Sequence, residues 1–173
     1  MKILLVTAFI WTFATCTLPE RKESANVLER QEFILPADWK RINTSNVEFS
    51  VPPNLSEKEY KEMMPSSTAK FYGNENIWLV FTIQSKPSSS YKNSKERDFQ
   101  FEKAIIDGKQ AEISTFTGTD MQNEANGEDY VATLDVPQIQ GNGESLKMWA
   151  YCKSSEDREI VIKIFKSVRF LKE

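Results

Sequence analysis

Asn76-Ile77-Trp78-Leu79-Val80-Phe81-Thr82-Ile83 decides how the rest of the chain is read. It is rich in β-branched and aromatic residues with almost no polar interruption, the composition of a central strand with neighbours on both sides. The flanking sequence offers those neighbours. Upstream, Trp39-Lys40-Arg41-Ile42 and Val47-Glu48-Phe49-Ser50-Val51 flank Asn43-Thr44-Ser45-Asn46, and Val47, Phe49 and Val51 fall on one face at period two. That spacing predicts a hairpin with a one-sided core. Pro52-Pro53 ends it, because proline has no N–H to give a sheet. Ser56-Glu57-Lys58-Glu59 has the form of a capping box and predicts a helix that ends before Pro65.

Downstream, residues 85–98 are polar and low in complexity, which predicts an exposed loop. The segments 101–106 and 110–116 then flank Asp107-Gly108-Lys109, where Asp-Gly favours a tight turn with positive φ and so a second hairpin. Two further alternating segments, 130–137 and 146–152, are joined through Gly141-Asn142-Gly143. Ser154-Ser155-Glu156-Asp157 supplies an N-cap with acids in the first turn, and Ile160, Val161, Ile164, Phe165 and Val168 form an apolar helical stripe. A short strand, Val168-Arg169-Phe170, is expected to close the chain. Strands in series, hairpin links and little βαβ rhythm argue for an α+β fold, a mainly antiparallel sheet covered by helices.

Composition narrows the chemistry. Twenty-two Lys plus Arg against 25 Asp plus Glu give a net charge of −3, which does not favour nucleic acid, a partner that calls for a concentrated basic face. Histidine is absent, so imidazole bases, Ser/His and Cys/His dyads and nearly all catalytic zinc sites are excluded. Six glycines and no G-x-x-x-x-G-K, G-x-G-x-x-G or C-x-x-C leave no nucleotide or redox motif, and no cofactor is expected.

The N-terminus reads as an address. Lys2 precedes an apolar run from Ile3 to Thr15, and Cys16 ends it. About 13 residues make roughly 20 Å of helix, short of the ~30 Å hydrocarbon core, so an export signal fits better than a permanent anchor. The sequence then turns abruptly polar from Thr17 to Asn26. This divides the chain into an export signal at 1–15, a polar tether at 16–31 and a single folded domain at 32–173. Phe13-Ala14-Thr15-Cys16 resembles a bacterial lipobox, which implies cleavage before Cys16 and a lipid on its sulfur. Phe13 and Thr15 stand where that pattern has an aliphatic and a small residue. The competing reading is cleavage after Cys16 to release a secreted protein. The second cysteine, Cys152, reads as a buried small hydrophobe in a strand, and either cleavage leaves the domain without an internal disulfide.

Three stretches together carry a family resemblance. They are Asp38-Trp39-Lys40 leading into Val47–Pro53, the turn Ile106-Asp107-Gly108-Lys109-Gln110-Ala111-Glu112-Ile113, and the closing Ser155-Glu156-Asp157 with Ile160 to Phe170. They resemble the PsbP-like domain found in small exported bacterial lipoproteins. The resemblance implies an α/β/α sandwich over roughly Leu35 to Phe170, and it speaks to fold alone.

Acids are the plentiful reactive groups. Glu57, Glu59 and Glu62 alternate with Lys58 and Lys61, the pattern of a solvated helix face. Asp120, Glu124, Asn126, Glu128 and Asp129 could ligate calcium through oxygens, but their spacing departs from the EF-hand, and no metal site is assigned. Trp39, Phe49, Trp78, Phe81, Trp149 and Tyr151 are expected in the core. The resulting expectation is a non-catalytic exported envelope protein. It is held at a membrane through lipidated Cys16 and binds or supports another envelope component. The alternative is a secreted small-ligand binder or a histidine-independent, carboxylate-dependent hydrolase.

Overall fold

The computed structural model describes residues 34–44, 46–59, 69–85, 95–119, 128–139 and 143–171, which belong to the compact unit Phe33–Glu173. Its frame is built by strand pairing. β1 (Lys40–Asn43), β2 (Val47–Val51), β3 (Ser56–Lys58), β4 (Lys70–Gly73) and β5 (Ile77–Gln84) are followed by β6 (Arg97–Ile106), β7 (Lys109–Thr119), β8 (Glu128–Val136) and β9 (Ser145–Cys152). The chain closes with helix α1 (Ser155–Lys166) and β10 (Arg169–Phe170). The strands form two antiparallel sheets, a three-stranded one ordered β1-β2-β10 and a seven-stranded one ordered β3-β4-β5-β9-β8-β7-β6.

β5 is an interior strand, as its composition predicts, paired with β4 on one side and along its whole length with β9 on the other. The hairpin at Asp107-Gly108 is also as expected, with φ of 47° at Asp107 and 80° at Gly108, the left-handed pair that a two-residue hairpin turn requires. Gly108 has nothing within 4 Å of where a Cβ would sit, so the backbone conformation alone calls for glycine there.

The expected fold class is overturned. Strand accounts for 58% and helix for 11% of the described residues, which do not form an α+β sheet covered by helices, and the α/β/α sandwich implied by the PsbP-like resemblance is not what they build. Ser56-Glu57-Lys58-Glu59 shows why. Instead of capping a helix, Ser56–Lys58 pairs with Gly73, Tyr72 and Phe71 at one side of the large sheet. Leu55 is 2% exposed and its N–H donates to the Pro52 carbonyl at 3.0 Å, so a turn anchored in the core delivers the chain to that sheet. Tertiary pairing overrides a local capping signal. β4, which supplies those partners, is a strand that pattern reading did not anticipate.

One face of the large sheet is packed. Alternation places Ile77, Leu79 and Phe81 of β5 beside Cys152, Ala150 and Met148 of β9, with Ala132 and Leu134 of β8 and Ile113 of β7 continuing the layer. β2 covers one part of this inner face. Val47, Phe49 and Val51 are all fully buried, and the Phe49 ring stacks on Phe81 at 5.3 Å and meets Tyr72 edge-on at 5.6 Å. Two rings at those separations are favourable pairs beyond the area they bury. α1 covers another part, through Val161, Ile164 and Phe165. Its N-cap is Ser154, whose Oγ accepts the Asp157 N–H at 3.1 Å.

Two polar contacts tie the layers together. Ser167 ends α1, where its Oγ donates to the Ile164 carbonyl at 2.6 Å and accepts the Ser50 N–H of β2 at 2.9 Å. Asp107, at the hairpin tip of the large sheet, accepts the Phe170 N–H of β10 at 2.8 Å, while Lys109 Nζ lies 5.5 Å over the Phe170 ring. Both join segments far apart in sequence, so the small sheet and helix are fixed by backbone-directed bonds as well as by apolar packing.

Candidate functional site

The second face of the seven-stranded sheet has a different chemistry from the first. Residues directly opposite one another on paired strands share a face, so the register defines rows across it. One row runs Gly73, Trp78, Tyr151, Val131, Phe116 from β4 to β7. The next runs Phe71, Val80, Trp149, Thr133, Ser114, Phe101 from β4 to β6. The third, from β5 to β6, is Thr82, Lys147, Asp135, Glu112, Lys103. Two rows are therefore mainly aromatic and aliphatic, and one is charged.

Trp78, Trp149, Tyr151 and Phe71 are half-buried, and the Phe71 and Trp78 rings lie 5.7 Å apart and tilted by 44°. The middle of the face is deeper. Thr133 is 2% exposed and Asp135 5%, and the Thr133 hydroxyl has no hydrogen-bond partner among the described residues. Lys147 Nζ stands 4.0 Å from Asp135 Oδ1, with those side chains 16% and 7% exposed. Removing a carboxylate and an ammonium from water is expensive unless each offsets the other, so this pair is a strong local constraint on the two central strands.

Two acids of this face lie on paired strands beside a lysine. Asp135 and Glu112 sit side by side in the β7–β8 register, the arrangement a carboxylate-dependent reaction would draw on. Lys147 Nζ faces the same pair, 4.0 Å from Asp135 Oδ1. Rings, hydroxyls and alternating charge therefore share one face of the sheet.

Elsewhere, burial raises Tyr72 to a pKa of about 12, with the Glu57 carboxylate opposite it adding to the rise. Tyr72 is 1% exposed on the packed face, so its phenol is a core group. The backbone N–H of Glu156, together with the Ser155 and Ser154 hydroxyls, holds the Glu156 carboxyl below its ordinary range. Both effects belong to the fold.

The residues singled out by sequence are scattered. Cys16, the tether and the acidic segment 120–127 lie outside the described residues, as do 60–68 and most of the polar loop at 86–94. Glu128 and Asp129 begin β8. Glu57 is on β3, not on a helix, with Lys70 Nζ 4.0 Å away. Cys152 is 1% exposed on the packed face, between Ile77 and Tyr130 of the adjoining strands, so it is the buried small residue expected. Phe49 and Phe81 are in the core and Trp39 packs against it, as expected, but Trp78, Trp149 and Tyr151 project from the opposite face, which corrects the core expectation for those three. Lys103, Glu112, Asp135, Lys147 and Thr133 are not among the candidate site residues of the sequence. Their signal was polar residues at every second place in otherwise apolar strands, as in Leu134-Asp135-Val136 and Leu146-Lys147-Met148.

Among the described residues no group of acidic or sulfur side chains converges as a metal site, and no helix is long and apolar enough to cross a membrane. No protein-family model matches the chain, and no curated protein is related to it at a significant level.

Proposed function

We propose that this is an exported protein held at an envelope membrane through a lipid on Cys16, whose folded unit is a non-catalytic binding or accessory module for another envelope component. The observation that carries the reading is the order of segments at the N-terminus. Lys2, an apolar run too short to span, a cysteine at its end and an abruptly polar stretch precede the folded unit. The half-buried aromatics and the charged row of the large sheet support a contact surface on that unit. The carboxylate-dependent hydrolase has less support, since Lys147 engages the more buried acid of the pair.

Detergent-phase partitioning of the full chain produced in a bacterial host tests the tether. Wild type is expected in the detergent phase with added acylglycerol mass, and Cys16→Ala is expected without that mass. A wild type that stays in water, or one that carries no lipid mass, would overturn the lipid anchor. A single acyl chain binds membranes only marginally, so stable retention requires the multiple chains of a lipoprotein cysteine.

A further inference from the structure

We draw no further inference here: the strongest candidate, the outer face of the seven-stranded sheet around Thr133, Trp149 and the Lys147–Asp135 pair, carries nothing beyond the surface already described, because nothing in the structure shows what covers it.

Discussion

The two faces of the seven-stranded sheet come from the same strands, one residue out of step, yet they are different materials. The inner face is apolar and filled, with Phe49 and Val161 at 0% exposure delivered onto it by β2 and α1. The outer face interleaves half-buried rings with hydroxyls and an ion pair. Stability therefore resides mainly on the first, whose contacts are numerous and dry, while the second carries specific polar constraints that a stable core alone does not need.

The contrast can be broken most severely at Phe49. Its side chain is fully buried between Tyr72 and Phe81, so Phe49→Ala is expected to lower unfolding stability by about 3–5 kcal/mol, read by denaturant titration. A loss below ~1 kcal/mol would mean that the small sheet does not close the core. On the other face, Lys147→Met removes the ammonium beside Asp135, which is 5% exposed, and should cost about 3 kcal/mol. Adding Asp135→Leu to it should restore most of that loss. If the double variant is no better than the single one, the two charges are not coupled and the charged row has been misread.

A smaller effect, of order 2 kcal/mol, belongs to Tyr72 and depends on pH. The folded state holds the phenol proton more tightly than the unfolded chain, so the contribution is complete below pH 10 and disappears as pH rises to about 12. Comparing stability across that window in wild type and Tyr72→Phe isolates it, since only the wild type should show this component of the decline. Ser167→Ala is the mildest test, at about 1 kcal/mol, because it removes the hydroxyl that joins the end of α1 to β2 and leaves the Ser50 N–H to find another acceptor. Thermal unfolding of the variant reads the shift, and an unchanged midpoint would show that this link is dispensable.

Much of the frame was legible because its signals are local. Period-two alternation marked β2, β8 and β9, Asp107-Gly108 marked its hairpin, and Ser154 with the Val161, Ile164 and Phe165 stripe marked the helix. What failed was non-local. Ser56-Glu57-Lys58-Glu59 carries a sound helix-start pattern, and only its pairing with β4 makes it a strand. Alternation likewise separates Trp149 from Met148 but cannot say which of the two faces receives β2 and α1. The charged row needed the register of four strands before Lys103, Glu112, Asp135 and Lys147 could be seen as neighbours. The lipid proposed on Cys16 rests on sequence pattern alone, and the proposed function leans most heavily on it.

The most direct measurement is therefore the intact mass of the mature protein recovered from bacterial membranes. The account requires a chain that begins at Cys16 and carries added acylglycerol mass. A chain that begins at Thr17 without lipid, found in the soluble fraction, would contradict the tether and leave a released protein whose one remaining cysteine is Cys152.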